Sequence, residues 1–374
     1  SRTKEFYIAF FFWYAFVLLF SGIAKVSHRL ATALEQRGHH LCYVCVDSWG
    51  KTALKQNTLI LPNPSKINSE ENRIALCDFL CAHQVSILVS HSAYSRRLAV
   101  MLREATDEAG AKLVQVLHTT PDSYHYRYWR HKVINRVVRA FMNRKWGNSW
   151  QKIYDLSDAF VVLCQPSADF ITQIAHIKDT SKFAVIHNAN TYLPTELAPA
   201  YDKEPIVLYV GRLVKGKGIE HIPAIWRQVS AAHPDWRLVV LGDGPYRATL
   251  EQAQLEHCDI LGTQEPKPYY ERAAISILTS DAEGWSMVLT EAMQHGVVPV
   301  AFDSFLATGV VLDEGRAGVL VPPFDLNLFA QEVSSLIADS DRRRAMAAHA
   351  REYVQTFDID HIITDWERLF ERLS

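Results

Sequence analysis

The chain has no strong net charge and few cysteines. Its 374 residues include 39 Lys or Arg and 41 Asp or Glu, a formal net charge of −2, so the chain as a whole is not a polyanion binder. Of its 6 cysteines, Cys42 and Cys45 form a CxxC within the strand-like run LCYVCV, where an offset of three places them on opposite faces. We therefore predict reduced, structural thiols in a cytoplasmic protein.

Several catalytic signatures are also absent. No G-x-S-x-G motif occurs, and no G-x-G-x-x-G follows the first strand-like run, which argues against a hydrolase triad and a dinucleotide site. DSD at residues 339–341 precedes a helical pattern, and DID at 358–360 begins the last one. Neither resembles a DxD metal site, and we expect no metal and no cofactor other than a co-substrate.

Residues 6–20 read FYIAFFFWYAFVLLF and contain no charge. One interpretation is a membrane span or signal anchor, because about 20 apolar residues cross a bilayer. The other is a buried strand, an apolar loop at residues 15–20, and a helix from about Lys25 to Arg37 that Gly22 opens. RGHHLCYVCVD follows as a glycine-stopped helix running into a strand, which favours the second interpretation.

Strand-like runs alternate with helical patterns along the whole chain. Near-continuous apolar strands separated by helices indicate parallel sheets covered on both faces. Two such sets predict an α/β protein with two facing Rossmann-like, doubly wound domains and an interdomain cleft, since ligands bind beyond the carboxyl ends of such strands. We place the domains at residues 1–190 and 203–355, joined by a proline-containing linker, with a C-terminal helix at 356–374 that packs back on the first domain.

GRLVKGKG at residues 211–218 is close to the P-loop signature GxxxxGK[ST]. Gly218 stands where a P-loop needs a Ser or Thr hydroxyl for Mg²⁺. A strand, a glycine-rich turn and a helix can still bind phosphate through backbone N–H groups and a nearby cation. The stretch therefore predicts a phosphate site, either of a P-loop-like NTPase or of another phosphate ligand.

The stretch DAEGWSMVLTEAMQHGVVPVAFD, at residues 281–303, places two carboxylates around a helix start. Glu283 precedes the helix, Ser286 is expected to cap it, and Glu291 lies in its first turns. Carboxylates so placed can accept hydrogen bonds from sugar hydroxyls while the helix N-terminus faces a phosphate. A solvated pair of acids is the alternative when this spacing stands alone.

Here the spacing does not stand alone. The segment resembles the E-x7-E signature of glycosyltransferase family 4, the retaining sugar-nucleotide enzymes of GT-B fold. YVGRLVKGKG resembles that family's GR-[LF]-x-x-x-KG, LGDGP its G-x-G-P loop, and GVLVPPFD its G-x-L-V-P-P-x-D. In the thinner N-terminal half, SGIAKVSHRLATALEQRGHHLCYV resembles the family's opening loop and helix, with Ser21 in place of a glycine and Ala24 in place of the usual Glu.

The resemblance implies roles for individual residues. Arg212 and Lys217 match the cations that hold the donor's diphosphate and stabilise the leaving group. Glu283 matches the carboxylate that binds the transferred sugar, and Glu291 the one that binds the ribose. His118 matches a histidine beside the donor sugar. The further donor-binding positions are Gly22, Gly211, Gly242, Gly244, Gly284, Trp285 and Ser286.

Residues 123–154 contain eight Lys or Arg and no Asp or Glu. In residues 130–145 the apolar side chains occupy one half of a helical wheel and Lys132, Arg136 and Arg139 the other. A helix on an anionic membrane surface is one interpretation. A domain helix packed on the sheet is another, and nothing else supports the third, nucleic-acid binding.

Membrane association would suit a lipid-linked acceptor, and the apolar loop at 15–20 favours it too. His91 and Tyr94 follow another N-terminal strand and are candidates for the acceptor pocket. We predict a metal-independent, retaining glycosyltransferase that moves a sugar from a nucleoside-diphosphate-sugar to a glycan or lipid-linked acceptor in bacterial surface polysaccharide or glycolipid synthesis. A noncatalytic sugar-nucleotide or glycan-binding module of the same fold is the other alternative. The predicted location is cytoplasmic, with possible peripheral attachment at the inner face of the membrane.

Overall fold

The structure, a computed structural model, describes residues 4–14, 22–47, 57–126, 132–199 and 202–374. Two compact units are present: one comprises residues 1–121, 131–189 and 359–374, and the other comprises residues 122–130 and 190–358. The short segment 122–130 thus groups with the second unit, although it lies within the range predicted for the first domain. The apolar loop predicted at residues 15–20 lies outside the described residues.

The first unit is built on a seven-stranded sheet with strand order β3-β2-β1-β4-β5-β6-β7, and every strand pairs in parallel with its neighbours. Its strands and helices, in chain order, are β1 (Tyr7–Tyr14), α1 (Gly22–Gln36), β2 (His40–Asp47), β3 (Thr58–Ile60), α2 (Glu70–Ala82), β4 (Ile87–Ser90), α3 (Arg96–Ala109), β5 (Lys112–Leu117), α4 (Lys132–Leu156), β6 (Ala159–Val162), α5 (Gln165–Ala175) and β7 (Phe183–Val185).

Strand β1 is apolar on both sides because helices cover both faces of this sheet. Phe10 packs with Leu30 and Trp366 in one core, and the next residue, Phe11, packs with Leu80 in another. Alternate residues of a strand point to opposite faces, so a doubly covered strand needs apolar side chains at every position. The uncharged run at the start of the chain therefore begins as a buried strand, as the second interpretation predicted. Among the helices that the structure describes, none is long and apolar enough to span a bilayer.

The second unit has a six-stranded parallel sheet of order β10-β9-β8-β11-β12-β13. The prediction of two α/β domains with parallel sheets is therefore confirmed. The elements of this unit are β8 (Glu204–Val210), α6 (Ile222–Ala232), β9 (Arg237–Leu241), α7 (Arg247–Gln252), β10 (Cys258–Ile260), α8 (Lys267–Arg272), β11 (Ala273–Leu278), α9 (Met287–Gln294), β12 (Val298–Phe302), α10 (Thr308–Val311), β13 (Val319–Val321), α11 (Leu326–Ala338) and α12 (Ser340–Tyr353), with single 3-10 turns at Pro194–Glu196, Ile219–His221, Asp313–Gly315 and Val354–Phe357.

The last helix, α13 (Ile359–Leu373), belongs to the first unit and packs beside α1. Its Trp366 and Phe370 are buried in the core that also holds Phe6. Glu367 accepts hydrogen bonds from Arg37, at 3.0 Å, and pairs with the buried His39 at 3.1 Å. The end of the chain is therefore held in the first unit by both apolar packing and ion pairs.

Candidate active site

The loop after β8 meets the loop after β11, the neighbouring strand, where the connections of the second sheet change direction. Gly218 has a φ of +63°, and a Cβ atom there would lie 1.8 Å from the carbonyl oxygen of Thr279. The Thr279 hydroxyl donates to the carbonyl of Lys217 at 3.0 Å, and the Asp281 N–H to that of Gly216 at 2.9 Å. Glycine stands at the P-loop's hydroxyl position because the adjoining loop leaves no room for a side chain.

This close approach brings Lys217 and Glu283 together. Their side chains form an ion pair, and the Ser280 hydroxyl donates to the same carboxylate oxygen at 2.8 Å. Both charged side chains remain partly open to solvent. A cation and a carboxylate, 66 residues apart in sequence, thus share one position at the carboxyl ends of two central strands, where ligands of open α/β sheets bind.

Arg212 lies on the same loop as Lys217 but is exposed. Among the residues that the structure describes, it has no ion-pair or hydrogen-bond partner. Its guanidinium remains available for bidentate binding of a phosphate group.

Three of the predicted glycines fasten this loop to the loop after β9. A Cβ atom at Gly242 would lie 1.8 Å from the carbonyl oxygen of Gly211, and one at Gly244 would lie 2.4 Å from that of Leu213. The Leu213 N–H donates to the Asp243 carbonyl at 2.9 Å. The structure therefore places these glycines where backbone packs on backbone, which shapes the phosphate loop itself.

Glu291 lies in α9, and both of its carboxylate oxygens have hydrogen-bond donors. The Thr191 hydroxyl donates at 2.6 Å and the hydroxyl of the fully buried Tyr270 at 3.0 Å. Burial, followed by the nearby Glu291, raises the pKa of Tyr270 well above its ordinary value, so this phenol stays a donor. Sequence reasoning missed both partners, because their separations of 100 and 21 residues carry no local pattern.

The start of α9 corrects one expectation. Ser286 occupies the N-cap position, but its side chain makes no capping hydrogen bond, so the prediction that it caps the helix is wrong. The backbone explains the difference only in part, because its ψ of 103° is extended as in other N-caps. Trp285 is buried and meets Phe357 edge to face at 5.0 Å, so its ring packs inside the unit. Gly284, with Glu283, forms the partly open approach to the helix N-terminus.

Asp281 is a further group of this site that the sequence did not single out. Burial first, then the charge of Glu220, raises its pKa to about 6, and Lys215 opposes that shift. Its side chain lies 4.0 Å from His221. A half-buried carboxylate with so high a pKa indicates that the loop holding Glu283 is poorly hydrated.

In the first unit, two histidines follow two neighbouring strands. His91 comes directly after β4 and His118 directly after β5, and their Nδ1 and Nε2 atoms are 2.8 Å apart. The His91 ring stacks on Phe12 at 4.7 Å, and its Nδ1 lies 3.4 Å from the Ser27 hydroxyl. The pair borders an enclosed cavity of about 330 Å³, which His187 also lines.

Both histidines are neutral near neutral pH. Burial, with the neighbouring His118 second, holds the pKa of His91 well below its ordinary value, and burial lowers the pKa of His118 to about 4. His118 can therefore act as a hydrogen-bonding group but not as a cation. His91 is only 6% exposed and faces His118, whereas Tyr94 is 45% exposed, so the two acceptor candidates do not share an environment. Gly22 is the first residue of α1.

Comparison with known families agrees with this geometry. The family model described as Glycosyltransferase Family 4 matches residues 20–189, and the one described as Glycosyl transferases group 1 matches residues 197–353. The chain belongs to the group 1, family 4 glycosyltransferases. The two matches divide the family 4 enzyme between the two units, and the second contains the Lys217 and Glu283 pair.

Individual relatives cover the family only in part. An exopolysaccharide phosphotransferase of Streptomyces coelicolor is 30% identical over 224 residues, which are 58% of this chain and 23% of that protein. The amylovoran biosynthesis glycosyltransferase AmsD of Erwinia amylovora is 25% identical over 224 residues, 57% of this chain and 62% of that protein. The chain thus spans less than two thirds of the length of either relative.

A solved structure of similar fold covers nearly the whole chain. HepE of Anabaena, in complex with UDP, has a TM-score of 0.73 and 17% sequence identity, covering 98% of this chain and 100% of that one. This likeness supports the GT-B assignment of the two parallel-sheet units.

Proposed function

We propose that this glycosyltransferase moves a sugar from a nucleoside-diphosphate-sugar to a glycan or lipid-linked acceptor, with retention of anomeric configuration, in bacterial surface polysaccharide or glycolipid synthesis. The ion pair between Lys217 and Glu283 is the observation that carries the proposal. It joins a phosphate-type cation to a sugar-type carboxylate at one strand edge. The UDP named in the HepE structure and the polysaccharide named in the Erwinia protein support the donor class and the setting.

In the proposed reaction, Lys217 and Arg212 bind the diphosphate and stabilise the negative charge that grows as the glycosidic bond breaks. Glu283, released from Lys217 by the incoming phosphates, accepts hydrogen bonds from hydroxyls of the transferred sugar. The backbone N–H groups of residues 284–286 and the N-terminus of α9 add partial positive charge. With two side-chain cations at the leaving group, we propose that the reaction needs no metal.

The remaining contacts fit the same donor. Glu291 is held in place by Thr191 and Tyr270, and each carboxylate oxygen can accept a second bond, so we assign it to the ribose hydroxyls. Neutral His118 would orient the donor sugar. We propose a front-face mechanism, in which the leaving phosphate takes the acceptor's proton, so no covalent enzyme nucleophile is required.

The test begins with a panel of UDP, GDP, ADP, CMP and dTDP sugars, scored by the thermal shift each produces. The best donor is then assayed for hydrolysis and transfer with the parent protein and with Glu283→Gln. We expect a loss of about 100-fold in kcat/KM, close to 3 kcal/mol, because the variant keeps the shape but loses the charged acceptor. The exposed Glu265→Gln is the matched control and should keep full activity.

Two outcomes contradict the proposal. Donor binding without hydrolysis or transfer to any acceptor tested would identify a noncatalytic sugar-nucleotide module. Mg²⁺-dependent ATP or GTP turnover that survives Glu283→Gln would identify an NTPase, an alternative already weakened by the crowding at Gly218.

A further inference from the structure

Helix α4 exposes an apolar stripe that nothing in the described chain covers. Val133 is 78% exposed, Ile134 51%, Val137 64% and Phe141 67%. These positions follow helical spacing and lie on one face. Among the described residues, no other helix exposes more than one large apolar side chain. The stripe is therefore a local feature of α4, and the sequence-based alternative in which this face packs on the sheet is wrong for these four residues.

Positive charge surrounds the stripe. Arg144 and Lys145 lie one turn beyond Phe141 on the same side of the helix, and Arg136 borders Val133. All three basic side chains are exposed, and none has an ion-pair partner among the described residues. Residues 123–154 contain no Asp or Glu in a chain whose net charge is −2. A like surface of a second copy would meet this one charge against charge, whereas an anionic bilayer matches both its apolar and its basic parts.

The same helical face continues into a basic groove. About 11 residues beyond Phe141, or roughly 16 Å along the helix, Lys152 lines an open groove of about 1040 Å³ together with Arg96 and Arg97 of α3. Asn148 and Gln151 add amide groups, and Asp155 is the acidic residue of the lining. Two guanidinium groups and an ammonium group in one groove match the phosphate of a lipid headgroup.

We propose that the outward face of α4 docks on an anionic phospholipid bilayer. The apolar stripe enters the boundary between headgroups and acyl chains, Arg144 and Lys145 contact phosphates, and the groove holds one phosphate-bearing headgroup. This inference deepens the proposed function, on which its biological sense rests, because it brings the first unit to the surface where a lipid-linked acceptor lies.

Vesicle co-sedimentation of the full chain tests the proposal. The parent should bind phosphatidylcholine vesicles that contain phosphatidylglycerol, bind pure phosphatidylcholine weakly, and lose affinity as salt rises. Val137→Asp with Phe141→Asp should reduce binding at least about tenfold. Arg144→Gln with Lys145→Gln should reduce it about 25-fold, since each basic residue near the surface is worth about fivefold. Ile74→Asp, which changes an exposed apolar residue on α2, is the matched control and should bind like the parent.

The groove has its own arm. Arg96→Gln with Arg97→Gln should weaken binding to the anionic vesicles about tenfold, and inorganic phosphate at equal ionic strength should compete no better than chloride. If inorganic phosphate displaces the protein, the groove takes free phosphate and the headgroup assignment fails.

Other results overturn the docking surface as a whole. They are a parent that ignores anionic vesicles, a control that loses binding equally, or a dimer in sedimentation velocity that Val137→Asp with Phe141→Asp dissolves. The last result would make a second copy the occupant. Each variant is also checked for the thermal shift with the best sugar nucleotide. An intact shift with lost vesicle binding concerns docking alone, and absence of any shift in the parent concerns the proposed function.

Discussion

The two units place polar side chains at the same kind of position and treat their charges in opposite ways. In the second unit, Lys217 and Glu283 remain ionised as a partly exposed pair. In the first, His91 and His118 are 2.8 Å apart and neutral. Both sites follow neighbouring parallel strands near the point where the strand order of the sheet changes direction.

The difference follows from hydration and from partners. The Lys217 ammonium and the Glu283 carboxylate compensate each other and keep some contact with water, which lowers the cost of keeping them charged. The two histidines would repel each other if both were protonated, and their enclosed cavity offers no carboxylate. We infer that the charged site is suited to a diphosphate and the neutral site to hydroxyl groups.

The largest effect is expected where charge stabilises the leaving group. Lys217→Ala removes the cation and leaves Glu283 without its partner, so kcat/KM should fall about 100-fold or more, near 3 kcal/mol of transition-state stabilisation. Steady-state hydrolysis and transfer measure it. Lys215→Ala, an exposed lysine two residues earlier, is the matched control. Equal activities of the two variants would show that the pair does not hold the diphosphate.

The neutral site predicts an acid sensitivity of the first unit. Burial holds the pKa of His118 at about 4 rather than 6.5. The folded protein therefore binds fewer protons than the unfolded one between these values, and the stability present above pH 6.5 is lost as the pH falls towards 4. His118→Gln should reduce that loss by about 2 kcal/mol, a little under the value for one fully buried group.

Urea unfolding at pH 7.5 and pH 4.5 compares the parent with His118→Gln. The exposed His361→Gln serves as control in the same unit and should follow the parent. A parent whose stability does not change over this range, or a control that flattens it equally, would show that the pair is hydrated and that the contrast between the sites is not electrostatic.

Much of this organisation could be predicted from sequence because it depends on local patterns. The alternation of apolar runs and helical periods is a short-range signal, and it predicted both parallel sheets. GRLVKGKG and the spacing of Glu283 and Glu291 are also local, so their residues could be singled out. The neighbouring positions of His91 and His118 were predictable in principle, since each directly follows a strand and β4 pairs with β5.

The rest depends on contacts between distant segments. Nothing near Gly218 in sequence shows that Thr279 will approach it, and nothing near Glu291 indicates Thr191. The amphipathic pattern of α4 was visible, but the pattern alone does not show which face meets the sheet. In the structure Val138 and Met142 are half-buried, while Val137 and Phe141 face outward.

The smallest expected effect sharpens the comparison through its opposite sign. Burial and Glu220 raise the pKa of Asp281 to about 6 from 3.8, so the folded state favours the protonated acid. The resulting stability is complete below pH 3.8 and is lost as the pH rises through about 6. Asp281→Asn should therefore stabilise the protein at pH 8 by about 1 kcal/mol, a figure kept low because water screens the partly exposed carboxylate, and change little at pH 4. Urea unfolding measures both values, with the exposed Asp235→Asn as control. Acid should thus favour the second unit at Asp281 and weaken the first at His118, and a destabilised Asp281→Asn at pH 8 would contradict this opposition.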